Sequence, residues 1–160
     1  MRDGNKGFTL VELLVTIAVL VIGITMAVPG FTKLIASNRG QADTAEIARA
    51  FNYARLEAIN RGVRVRVAPL NAGIWRGDLI VQAMTAPVTE LRRVPALGGN
   101  PTLTIAAGAG VPDYVEFNSL GALAVPAEQT VLTYTNGTVV RTVLVCVNGR
   151  VVPNGASAGC

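Results

Sequence analysis

Glu12 is the only ionisable residue between Lys6 and Lys33. It lies in a run, Phe8 to Val28, whose other members are apolar apart from three threonines and one glycine. A carboxylate at hydrocarbon depth costs about 3 kcal/mol unless it is paired or reaches the interface. Two chemistries are open to it. It can snorkel to the bilayer surface, or it can wait for a cation. A newly exposed α-amine on Phe8, on the same chain or on a neighbour, would be such a cation. Pairing across chains would draw an incoming subunit into register.

The remaining reactive side chains are few. The chain has no histidine, so histidine-based proton transfer and histidine-ligated metals are excluded. Lys33 is the only lysine after Gly7, and the acids are scattered without metal-ligand spacing. No phosphate-binding loop of the form G-x-x-x-x-G-K-[ST] occurs. The reading is therefore of a protein that is not an enzyme and needs no cofactor or metal. Cys146 and Cys160 are the two cysteines, and an even pair near one end of the sequence suggests a disulfide in an oxidising compartment. Arg64 and Arg66 project from one face of an alternating segment, with Arg150 after an Asn-Gly turn. These three are candidate DNA contacts, set against the plainer reading of a solvated strand face.

The elements that carry these residues follow from periodicity. As a helix, Phe8–Val28 would be roughly 31 Å long, enough to cross a bilayer core. Arg2 and Lys6 precede it, which places residues 1–7 in the cytoplasm and everything after Pro29 outside it. A secretory signal would have a shorter apolar region followed by a small-x-small site. Gly23, Thr25, Pro29 and Gly30 weaken the helix, and Pro29 removes a backbone donor, so a bend or local unwinding is expected there.

From residue 30 to 62 a second helical pattern sets Ala36, Ile47, Phe51, Ala54 and Ala58 on one face, and Glu46, Arg49, Tyr53 and Glu57 on the other. Gly62 is placed to end it, and Asn38-Arg39-Gly40 is a point where it could fray. Beyond Gly62 the period becomes two. Val63–Val67 alternates, and further strands are expected at Ile74–Met84, Val88–Val94, Thr102–Ala106, Tyr114–Phe117, Val131–Thr135 and Thr138–Val147. Asn136-Gly137 and Asn148-Gly149 are hairpin signals. Leu97–Pro112 reads as the loosest stretch. The fold class is α+β, a long N-terminal helix on a β-rich domain. The organisation is 1–7 leader, 8–29 membrane helix, 30–62 amphipathic helix and 63–160 globular domain. A formal charge of +4, or about +3 without residues 1–7, is too small to demand a nucleic-acid partner.

The segment Lys6-Gly7-Phe8-Thr9-Leu10-Val11-Glu12-Leu13-Leu14 resembles the class III signal of type IV pilins and type II secretion pseudopilins. That resemblance implies cleavage between Gly7 and Phe8 by a prepilin peptidase and N-methylation of Phe8. It also implies packing of the apolar helix in a filament core, with Glu12 directing assembly. Pro29 matches the family's helix-kinking proline. The stretch Phe51–Gly62, then Ile74-Trp75-Arg76-Gly77 and Val115–Gly121, resembles the GspH/FimT family of minor pilins and pseudopilins. The family fold is a long helix laid against two β-sheets. The expected function is a minor pilin of a type IV pilus, priming or capping assembly with other minor and major pilins. It would be a single-pass inner-membrane protein with a periplasmic domain. The alternatives are a type II secretion minor pseudopilin and a DNA-binding minor pilin for natural transformation. The terminal cysteine pair is more like the pilus proteins. Family members that bind DNA use Gly-Arg-x-Arg near the C-terminus, whereas here Gly149-Arg150 continues with Val151-Val152.

Overall fold

The computed structural model describes residues 8–108, 110–155 and 160, with Met26 and Pro29 by backbone only. The described residues divide into two compact units, the first ending at Ile35 and the second beginning at Ala36. Helix α1 spans Leu10–Arg61. It starts after Thr9, whose carbonyl accepts from Leu13 N and whose hydroxyl accepts from Glu12 N. These are the bonds of an N-cap. It stops one residue before Gly62, as the sequence predicts.

Beyond Phe8 and Thr9, the first unit contains only helix among its described residues. Its described large apolar side chains from Leu10 to Ile35 are all at least 51% exposed. The backbone stays α-helical through Gly23 and Pro29, so the local unwinding that was one of the two expectations is not seen there. A proline within a helix withholds one hydrogen bond but still permits the turn to continue.

The second unit is built around two antiparallel sheets. The first has the order β3(Thr89–Val94), β2(Leu79–Ala83), β1(Val65–Pro69), β5(Val115–Phe117), β6(Leu123–Val125). The second runs β4(Thr102–Ala107), β7(Thr130–Asn136), β8(Val139–Val145), β9(Val151–Pro153). Strict alternation puts Val65 and Val67 in the core with Val81, Val115 and Phe117. The helix adds Ile47, Phe51, Ala54 and Ala58, all fully buried, whereas Ala36 is only half-buried. Phe51 and Phe117 meet edge to face with centroids 6.5 Å apart. The second sheet supplies Leu103, Ile105, Leu132, Tyr134, Val143 and Val145.

Several local expectations are corrected. Residues 74–78 form turns, not strand, because Gly73 and Gly77 close tight hydrogen bonds from Ile74 N to Asn71 O and from Gly77 N to Ile74 O. Strand β6 appears where no strand was read; three residues after the turn at Gly121 are too few to display a period. The β7–β8 hairpin exists, but Asn136 pairs with Val139, so its loop is Gly137-Thr138. Gly137 then supplies the positive φ at the first loop position. Helix α1 does not fray at Asn38–Gly40. There Gly40 lets the Tyr134 ring approach, Arg141 donates to Ser37 O and Oγ, and Arg39 lies against the Gly98-Gly99 backbone. The stretch read as loosest holds β4, paired residue for residue with β7.

Candidate functional site

The N-terminal segment sets Phe8 and Thr9 just before, and Glu12 in the first turn of, an apolar helix. Phe8 is 71% exposed; Gly7, the other side of the expected cleavage point, lies outside the described residues. Thr9 to Glu12 has the spacing of a capping box, with Glu12 at the third helical position. Thr9 Oγ1 accepts from Glu12 N at 3.3 Å. The sequence reading missed this, although Thr-x-x-Glu before an apolar run is its signature. Negative charge in a first helical turn also meets the positive end of the helix dipole. The dipole lowers the cost of keeping an acid there, while the Thr9 bond caps the helix through the Glu12 backbone.

The stem's other polar side chains near it are satisfied inside the chain. Thr16 Oγ1 donates to Leu13 O and Thr25 Oγ1 to Ile22 O, each at 2.8 Å. Among the described residues no side chain pairs with the Glu12 carboxylate. Pro29 keeps its place in the helix backbone. By length and composition α1 can cross a membrane.

The arginines of the globular unit tell a different story. Register places Arg66 directly opposite Glu116 on β5. Arg66 Nη2 and Nε donate to Glu116 Oε2 at 3.0 and 3.2 Å, and Arg64 Nη1 donates to Oε1 at 3.2 Å. The Glu116 side chain is only 4% exposed, and the Arg66 guanidinium stacks 3.7 Å from the Tyr114 ring centroid. A buried carboxylate needs such partners, so this pair is committed to the sheet. Glu116 was not singled out from sequence, although an acid in a Val-Glu-Phe strand opposite alternating arginines was the available signal. Arg150 stands elsewhere, on the β8–β9 turn, where Asn148 Oδ1 accepts from Arg150 N at 3.0 Å. The expected cysteine pair is a disulfide: Cys146, buried after β8, is bonded to Cys160. No group of His, Cys, Asp or Glu among the described residues could hold a metal.

Known proteins agree with this architecture. The profile described as type II transport protein GspH matches residues 43–150, and that of the prokaryotic N-terminal methylation motif matches residues 2–28. Two solved structures share the fold. The type IV minor pilin FimU of Pseudomonas aeruginosa is 18% identical with a TM-score of 0.64, over 74% of this chain and 90% of that one. The minor pseudopilin EpsH from the type 2 secretion system of Vibrio cholerae is 15% identical with a TM-score of 0.56, over 76% of this chain and 99% of that one. No curated protein was found to match in sequence. With a fold of one long helix on two antiparallel sheets, and the GspH profile spanning most of its globular unit, the chain belongs to the GspH family of minor pilins and pseudopilins.

Proposed function

We propose that this chain is a minor pilin of a type IV pilus, which primes or caps assembly with other pilins and performs no catalysis. The observation that carries the reading is the exposed apolar stem whose one carboxylate pairs with no described side chain, inside the matched N-terminal methylation motif. In the bilayer the stem is solvated by lipid, and Glu12 is its one expensive group. Cleavage by a prepilin peptidase after Gly7 would create an α-amine on Phe8, kept positive after N-methylation. In a bundle of such stems that amine neutralises Glu12 of the same or an adjacent subunit. The transfer from inner membrane to filament then gains an ion pair in a low-dielectric setting. The globular unit would face the periplasm, where the Cys146–Cys160 disulfide persists.

The test is Glu12→Val, scored as the ratio of chain in sheared filaments to chain in the membrane. Loss of 1.4 kcal/mol of pairing lowers that ratio by about tenfold. Unchanged incorporation would overturn the assembly role of Glu12. A second reading, a type II secretion pseudopilin, draws on the description of the matching family profile. Deletion separates the two: loss of surface pili or twitching favours the first, loss of exoprotein secretion the second. The DNA reading is the weaker for Arg64 and Arg66, whose guanidinium groups already serve Glu116.

A further inference from the structure

Among the described residues, six arginines of the globular unit are ion-paired with glutamates, and the first of them along α1 is Arg49, 2.9 Å from Glu46. Arg39 and Arg141 differ. Arg39 is exposed and makes no ion pair or hydrogen bond among the described residues. Its guanidinium lies on the Gly98-Gly99 backbone, where a Cβ on Gly98 would collide with Nη2. Arg141, half-buried on β8, donates from Nη2 to Ser37 O and Oγ at 3.3 and 3.1 Å, and its Nε is buried with no hydrogen-bond partner. The two flank Gly40: Arg39 precedes it in the chain, and a Cβ on Gly40 would stand 3.4 Å from Arg141 Nε. The next acid along α1, Asp43, accepts from the Tyr134 hydroxyl at 3.0 Å. A guanidinium partly withdrawn from water and met only by neutral acceptors keeps an uncompensated charge. An anion brought to it gains charge-assisted hydrogen bonds.

Place along α1 says which anion. The exposed apolar side chains continue past Val28 through Phe31, Leu34 and Ile35, at 65, 54 and 54%. From Leu13 to Ile35 the helix rises roughly 33 Å, against a hydrocarbon core of about 30 Å. Between Glu12 and Arg39 the one ionisable residue is Lys33, whose long stem can carry its charge to the interface. Arg39 follows Ile35 by four residues, about 6 Å of helix rise, and a headgroup layer adds about 5–7 Å to each side of the core.

We propose that Arg39 and Arg141 bind the phosphate of an anionic phospholipid headgroup, holding the globular unit on the outer leaflet of the inner membrane until the chain leaves for a filament. This rests on the reading of α1 as a membrane-inserted stem. Two guanidinium groups suit a phosphate because each presents several donors in a fixed plane.

The test reconstitutes the full chain in vesicles of phosphatidylcholine and phosphatidylglycerol in equal amounts, then counts the lipids it retains in native mass spectrometry. Each arginine should favour phosphatidylglycerol about fivefold, the equivalent of about 1 kcal/mol. Arg39→Gln alters an exposed side chain, so it should lower that preference about fivefold with thermal melting unchanged, and Arg39→Lys should keep most of it. Hydrogen exchange of residues 36–44 should be slower in the mixed vesicles than in phosphatidylcholine alone. Equal retention of the two lipids by the wild type would overturn the proposal, as would an undiminished preference in Arg39→Gln. So would inorganic phosphate or duplex DNA slowing that exchange in phosphatidylcholine vesicles as much as phosphatidylglycerol does, which would mark a site for soluble phosphate groups. If the chain floats with vesicles and shows no lipid preference, the headgroup site falls and the stem reading stands. If it floats with neither kind of vesicle, both fall.

Discussion

The stem and the globular unit solve opposite problems with the same residue types. In residues 10–35 the described apolar side chains face outward, and Thr16 and Thr25 bond back to their own helix. In residues 36–160 the apolar side chains close into a core, and the polar ones tie distant strands together. Glycine shows the contrast most clearly. A Cβ on Gly23 or Gly30 would meet nothing within 4 Å, whereas one on Gly149 would collide with the Gly121 carbonyl oxygen. The first region leaves its apolar side chains uncovered, whereas the second covers most of its own.

Exchanging glycines should break the comparison hardest. Gly149 has φ +81° and is buried, so Gly149→Ala imposes both backbone strain and overpacking, together about 4 kcal/mol of lost stability. Denaturant unfolding of the detergent-solubilised chain should show it. Gly23→Ala should leave that unfolding unchanged and raise stem helicity by about 1 kcal/mol. A filament defect from Gly23→Ala would then report contacts between chains.

Removing the disulfide should be next in size. Cys146 and Cys160 are 14 residues apart, and closing a loop of that length is worth about 3 kcal/mol in the chain-entropy model. Melting of the chain with and without reductant measures it. Reduction should leave the stem's helical signal intact.

The two carboxylates sharpen the comparison further. Glu116→Ala leaves two arginines facing a vacated site, and because Arg64 is largely exposed the loss should be about 2 kcal/mol. Glu12→Val should do the reverse in the monomer and favour the bilayer-inserted stem by about 3 kcal/mol. The same residue type would thus hold the fold in one unit and, under the proposed function, direct assembly from the other. Equal unfolding effects from both substitutions would contradict that.

The sequence could reveal the stem because its signals are local. Length, one charge and the preceding Gly-Phe pair can be read without knowing what they touch. Likewise the valines of β1 and the Ile47–Ala58 stripe announce their burial by period alone. What stayed hidden depends on contacts between residues far apart in the chain. Glu116 looks like an ordinary strand acid until register places it against Arg66, 50 residues away. The Gly121–Gly149 contact joins two turns from different sheets, and no window of sequence contains both. Residues 74–78 misled because Ile74 and Trp75 are apolar enough for a strand. Trp75 reaches the core, 2% exposed, from a turn.

The smallest predicted effect concerns Tyr134, whose ring is buried against Gly40 and whose hydroxyl donates to Asp43 Oδ2 at 3.0 Å. Burial raises its pKa above the usual 10, since a phenolate there would lose its hydration. The Asn136 amide works against that rise, while the bond to Asp43 adds to it. The folded state thus holds the phenolic proton more tightly than the unfolded chain does. That contribution to stability is fully present below the unfolded pKa and is lost as pH rises through the folded one. Tyr134→Phe removes the hydroxyl bond at a cost of about 1 kcal/mol near neutrality. It should also remove this part of the alkaline decline. Unfolding midpoints of the two proteins, compared from pH 8 upward, should therefore converge as pH climbs beyond about 10. Parallel curves would show that the hydroxyl is hydrated in the folded chain, and that the second sheet is not sealed against the helix at Gly40.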